Sequence, residues 1–221
     1  MIRPMSDGQL HELERRWRET RSTPDETAWL RERVRAGQLS EARLELAASC
    51  GHPAAERACG ISSASAAPGL GEMLAGLARF GASESPVAAV AARCATLAIA
   101  QFPGQAPEAL ARAAAAIAEH EQCPCEAHRS ALFLLSSQLG RLAATRRQGD
   151  DPRAATLLKA LYHLSAAINK AAKVQHDPAL EQVRQGLEAA RRSGLDDAEL
   201  TEAVRGGLVS WALAVPPPVG R

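Results

Sequence analysis

The sequence predicts an all-α fold, an irregular array of antiparallel helical hairpins with about ten helices. Three observations carry this. Seven times a proline stands one residue past a capping position, at Thr23-Pro24, His52-Pro53, Ser85-Pro86, Ala106-Pro107, Cys123-Pro124, Asp151-Pro152 and Asp177-Pro178. Proline suits the first helical position, where its missing N–H would have been unpaired anyway. Between these marks lie Ala- and Leu-rich segments with apolar residues three and four apart, and no alternating run of β-branched residues reads as a strand.

The first sixty residues form one helical unit. Leu10, Leu13 and Trp17 share a face of an otherwise charged first helix. Thr23-Pro24-Asp25-Glu26 reads as a capping box in which Thr23 caps and Glu26 reaches back. Trp29, Leu30 and Val34 stripe the second helix, and Gly37 stops it. Ser40 caps a third helix that ends at Gly51, and His52-Pro53 opens a short fourth that runs to Gly60.

Residues 61–69, ISSASAAPG, have linker composition. Beyond them a larger array covers 70–215, with helices predicted at 70–80, 86–101, 107–121, 124–147, 152–175, 178–193 and 196–213. The clearest is 152–175, where Leu157, Leu161, Leu164 and Ile168 make the inner stripe and Lys159, Lys170 and Lys173 fall mostly outside. Residues 216–221 begin with three prolines and form an extended tail. Segment lengths vary too much for a regular solenoid.

At 221 residues, roughly 70% of the unfolded chain's surface can be buried, so the core needs no disulfide or metal. Aromatics are 3% of the chain and alanine about a fifth, so Leu, Ile and Val must build the core with Trp17, Trp29 and Trp211 as anchors. Trp211 could alternatively face a partner subunit, and alanine-rich faces suit a homodimer. A formal charge of +1 argues against an overall nucleic-acid or membrane field. No run approaches the ~20 apolar residues of a membrane span, and MIRPMSDGQL has no signal core. Five cysteines without paired spacing fit a reducing compartment, so the expected location is the cytoplasm.

One proline mark carries extra chemistry. His120, Cys123, Cys125 and His128 are zinc-type ligands within nine residues, and a cysteine at a helix N-terminus can be activated as a thiolate. No cofactor is expected, zinc is the one these residues would hold, and a metal- or thiol-dependent sensor centred on Cys123 and Cys125 is an alternative function. Ordinary helix grammar also accounts for the segment: Cys123 as cap, Pro124 first in the helix, His120 offsetting the preceding helix dipole.

Residues 122–175 carry Arg129, Arg141, Arg146, Arg147, Arg153, Lys159, Lys170 and Lys173 against Glu126, Asp150 and Asp151. Arg141, Arg146, Arg147, Lys159, Lys170 and Lys173 are the candidate partner-binding residues, toward an acidic protein or toward nucleic acid. Tyr162 is the one interleaved aromatic, which disfavours base stacking. His163 flanks the 157–168 stripe, and His176 belongs to a turn. Gly69-x-Gly71 and Gly206-Gly207 lack the strand that a phosphate loop requires, and no catalytic triad or carboxylate pair is assignable.

Residues 13–60, with Trp-Arg-Glu-Thr closing one helix, Asp-Glu-Thr-Ala-Trp-Leu opening the next and Leu-Glu-Leu-Ala-Ala leading to Gly-His, resemble a recurrent helical module of uncharacterised proteins from GC-rich bacteria. The stretch from Ala91 to Ala118, with Cys94-Ala95-Thr96-Leu97 and Phe102-Pro103 before an alanine-rich helix, is similar to all-helical immunity proteins of bacterial toxin systems. That resemblance implies binding and blocking a toxin. Gly104-Gln105-Ala106-Pro107 replaces the acidic and Arg-Pro-Arg residues expected between the two helices, so no site residues carry over. The function expected is a non-enzymatic protein-interaction module, an adaptor or an immunity-like inhibitor.

Overall fold

A computed structural model describes residues 7–61, 68–77, 86–102, 107–122, 126–146, 151–173 and 175–214. Among these residues there are eleven α-helices and no strand: α1 (Asp7–Thr20), α2 (Thr23–Arg35), α3 (Glu41–Ser49), α4 (Pro53–Cys59), α5 (Leu70–Leu77), α6 (Val87–Ala100), α7 (Glu108–Gln122), α8 (Glu126–Arg146), α9 (Pro152–Ala172), α10 (His176–Arg192) and α11 (Asp197–Leu213). The all-α expectation holds. No helix among the described residues is long and apolar enough to cross a membrane.

The helix starts show how proline grammar works in detail. Ser22, not Thr23, caps α2: its hydroxyl accepts from the Asp25 N–H at 3.3 Å, which places Thr23 and Pro24 first and second in the helix. Glu26 does not close a capping box but lies 3.6 Å from His52 Nε2. His52 caps α4 through Nδ1, which accepts from Ala55 N–H, and Asp151 caps α9 by accepting from Ala154 N–H at 2.9 Å. At Asp177-Pro178 the helix begins earlier, at His176, so Pro178 is its third residue. That site is tolerated because the first-turn N–H groups have no intrahelical acceptor. Ser85, Ala106, Cys123 and Pro124 lie outside the described residues.

The chain forms two compact units, residues 1–68 with 208–221 and residues 69–207. Residues 208–215, which the expected array over 70–215 would include, group instead with the N-terminal unit. The reason is local to Trp211, Ala212 and Leu213, which pack on the cluster of Trp29, Leu30, Leu39, Leu44, Ala47 and Ala54. Trp17 stacks on Trp29 with ring centroids 4.5 Å apart, and Trp211 lies under the Arg43 guanidinium at 4.6 Å. All three tryptophans therefore serve this smaller core, which leaves the larger unit to aliphatic packing.

Arg33 is the least expected member of that core. It is fully buried, with Nη1 donating to Leu213 O at 2.7 Å, Nη2 to Ala214 O at 2.9 Å, and its guanidinium over Trp29 at 4.8 Å. Arg43 also donates to Trp211 O. Two cations thus satisfy carbonyls left open at the end of α11 and complement its negative dipole end. Burial pushes the Arg33 pKa down, helped by the charge of Arg43.

In the larger unit α9 is central, with α8 and α10 on its flanks and α6 behind. Leu157, Leu161, Leu164 and Ile168 are all fully buried, as their spacing predicts. Two glycines permit close helix approach. A Cβ on Gly186 would stand 2.8 Å from Leu164 Cγ, and one on Gly207 would stand 2.7 Å from the Val90 Cα.

Candidate interaction surface

Helix α8 is apolar on more than one side. Leu132, Leu135, Ser136, Leu139 and Ala143 point inward and are buried, whereas Phe133 is 49% exposed and Leu134 63% exposed. The cause is the run Ala131-Leu132-Phe133-Leu134-Leu135, five consecutive apolar residues where a helix stripe uses two or three. Some must face away from the core. Ile61 is the other large apolar side chain exposed among the described residues.

A cation stands beside Phe133, and two arginines line the groove further along α8. The Lys173 ammonium lies 5.4 Å from the Phe133 ring centroid, and Lys170 sits on the same α9 face one turn earlier. Along α8, Leu134 lines up with Gln138, Arg141 and Thr145 at helical spacing. Gln138, Arg141, Leu142 and Thr145 line an open groove of about 430 Å³ between α7 and α8, closed on the other wall by Pro107, Ala109 and Arg112. Arg112 donates to Gln138 Oε1 at 3.1 Å, and Glu108 is the acid in the lining.

The charge on these helices is not neutralised locally. After Glu126, no carboxylate occurs through the rest of α8 or anywhere in α9. Among the described residues, no ion pair engages Arg112, Arg141, Arg146, Lys159, Lys170 or Lys173. Helix α1, by contrast, pairs Arg15 with Glu12 and Glu19, and Arg18 with Glu14.

Of the six basic residues singled out from the sequence, Lys159, Lys170 and Lys173 share one side of α9 by their helical spacing, and Arg141 and Arg146 lie on α8. Lys173 stands beside Phe133, Arg141 lines the α7–α8 groove, and Lys170 acts with Lys159 on His163. Lys159 lines a separate cleft of about 540 Å³ between α9 and α10, with His163, Glu181, Arg184, Gln185 and Arg192. The Arg146 guanidinium lies over Phe102 at 5.6 Å, and Arg147 lies outside the described residues. In the α9–α10 cleft Arg192 meets Glu188 at 3.3 Å, and Gln185 donates to Glu181 at 2.9 Å. His163 Nδ1 is 3.0 Å from Gln182 Oε1. Burial holds the His163 pKa below the usual histidine value, with Lys159 and Lys170 adding to the effect, while the Gln182 hydrogen bond opposes it.

Of the four metal-type ligands, Cys123 and Cys125 lie outside the described residues. His120 is buried near the end of α7 and His128 is half-buried in the first turns of α8. Among the described residues, no three His, Cys, Asp or Glu side chains are grouped so as to hold a metal ion. Cys94 is buried in apolar surroundings that push its thiol up to about 12, far from thiolate reactivity at neutral pH.

Sequence reasoning missed Phe133, Leu134 and Arg112. The signal for the first two is the width of the 131–135 apolar run. Arg112 carries no signal of its own, since only the packing of α7 on α8 brings it to the groove. Comparison with family models, with curated proteins and with solved structures gives no match for this chain.

Proposed function

We infer that this chain is a non-enzymatic protein-interaction module, an adaptor or an immunity-like inhibitor of the cytoplasm, that engages its partner through the outer face of α8. The observation that supports this reading is the adjacent exposure of Phe133 and Leu134. Fully burying such side chains is worth roughly 1.5–3 kcal/mol each, so the half-exposed pair offers a partner about 2 kcal/mol. An aromatic and an aliphatic anchor, with a lysine beside the aromatic ring and an arginine further along the helix, is the composition of an interface centre.

A photo-crosslinking amino acid at position 134, in the full chain expressed in its native host, tests the reading. The same label at Glu202, exposed on α11, is the control. The expected result is a protein adduct at 134 and none at 202. Equal adducts at both positions, or none at either, overturn it. An adduct between two copies of this chain replaces it with a homodimer.

A further inference from the structure

We propose that the partner of the α8 face is an acidic amphipathic helix of another protein, with apolar side chains repeating every three to four residues and Asp or Glu on both flanks. This rests on the interaction reading above and adds the chemistry of what binds. Four features support it together. Phe133 and Leu134 supply an apolar centre. Arg112 and Arg141, against one acid, Glu108, line the groove on the α7 side, and Lys173 stands beside Phe133 on the α9 side. Carboxylates are missing from α8 after Glu126 and from all of α9. Among the described residues, no ion pair uses Arg112, Arg141 or Lys173.

The α7–α8 groove lies along the same helix, with Gln138, Arg141 and Thr145 in its lining. Leu134, Gln138, Arg141 and Thr145 run in one row along α8, and the α7–α8 groove of about 430 Å³ continues that row past Leu142. An amphipathic helix laid along it places one apolar residue on Leu134 and Phe133 and the next, one or two turns on, against Leu142 and Ala109. Carboxylates flanking that stripe then reach Lys173 beside Phe133 and Arg112 or Arg141 in the groove. Arginine favours the bidentate geometry of a carboxylate.

The same features disfavour the alternatives. A two-fold dimer through this face brings two like-charged surfaces together, with no acid on α8 after Glu126 to relieve them. Nucleic acid stacks bases on open aromatic faces, whereas Phe133 lies beside Lys173 and the most exposed apolar residue is the aliphatic Leu134. An interfacial membrane helix needs a broad apolar face, and the outer residues of α8 include Ser130, Ser137, Arg141 and Thr145.

The test uses the full chain and a fluorescein-labelled synthetic 20-residue amphipathic helix with a leucine stripe and glutamate flanks, read by fluorescence anisotropy. Comparison probes are the same peptide with lysine flanks, a 20-nucleotide single-stranded DNA, and vesicles of phosphatidylcholine containing phosphatidylserine. The glutamate peptide is expected to bind, to weaken steeply with salt, and to lose at least ~10-fold in affinity on Leu134→Asp. The double variant Arg141→Glu/Lys173→Glu is expected to reverse the preference toward the lysine peptide, while Arg184→Glu, exposed on α10, leaves the preference unchanged. Circular dichroism confirms that each variant is folded.

Equal binding of the two peptides, binding of neither, or binding only of DNA or vesicles overturns the proposal. The crosslinking experiment keeps the two readings apart. A protein adduct at position 134 whose attached segment is basic or uncharged leaves the interaction module standing and refutes the acidic helix. The absence of any adduct refutes both.

Discussion

Gly206 and Gly207 are neighbours in α11 with opposite surroundings, so a pair of alanine substitutions isolates one packing contact. A Cβ at Gly206 meets nothing within 4 Å. Gly206→Ala therefore gains only helix propensity, about 0.8–1 kcal/mol relative to glycine. A Cβ at Gly207 stands 2.7 Å from the Val90 Cα and 3.0 Å from both Val90 N and Ala89 O. All three are backbone atoms, so no rotamer change relieves the clash, and α11 must retreat from α6 by several tenths of an ångström. Overpacking of this kind costs about 1–3 kcal/mol. The propensity gain is common to both variants and cancels, so Gly207→Ala should be less stable than Gly206→Ala by about 1–3 kcal/mol. The unit concerned spans residues 69–207 and holds no tryptophan, so far-UV circular dichroism during urea unfolding is the appropriate readout. If Gly207→Ala is as stable as Gly206→Ala, the close α6–α11 approach is wrong.

Two further outcomes are expected in the smaller unit, where Trp17, Trp29 and Trp211 report unfolding by fluorescence. Arg33→Met keeps the side-chain volume but removes the donors to Leu213 O and Ala214 O. The loss of two charge-assisted hydrogen bonds, partly offset by relief of a buried charge, should lower stability by about 2 kcal/mol, and an unchanged or higher denaturation midpoint would contradict this. Asp25 accepts from Ser22, Thr20 and Arg16, which together lower its pKa from 3.8 to about 2. A carboxylate depressed by folding stabilises fully above its unfolded pKa and loses that contribution as pH falls through its folded one. The stability gap between the wild type and Asp25→Asn should therefore be present at pH 7 and close between about pH 4 and pH 2. A gap independent of pH would refute the role given to this carboxylate.

Much of the local structure was readable in the sequence, because its causes are local. Asp151 and His52 cap helices beside a proline, and Leu157, Leu161, Leu164 and Ile168 share one face of any helix that contains them. Where local reading erred, it erred by a residue or two. Ser22 and Thr23 compete for one capping position, and only the backbone geometry, with Ser22 extended at φ −83° and ψ 141°, chooses between them. The candidate site was legible only in part. The basic residues were marked by charge, but only the packing shows that Arg141 lines the α7–α8 groove, Lys159 lines the α9–α10 cleft and Arg146 lies over Phe102.

The sequence by itself determined that this protein is helical, where most helices begin, and that α8 beyond Glu126 and all of α9 carry basic residues and no acid. These follow from hydrogen-bonding and periodicity within a few residues of each position. Only the tertiary structure decided that the end of α11 joins the N-terminal unit, held by Arg33 and Arg43, residues some 170 to 180 positions away. It also decided that Phe133 and Leu134 face outward, with Lys173 beside Phe133. A five-residue apolar run obliges some side chains to leave the core, but which ones leave depends on where α7 and α9 pack, and that is a long-range outcome no local pattern encodes.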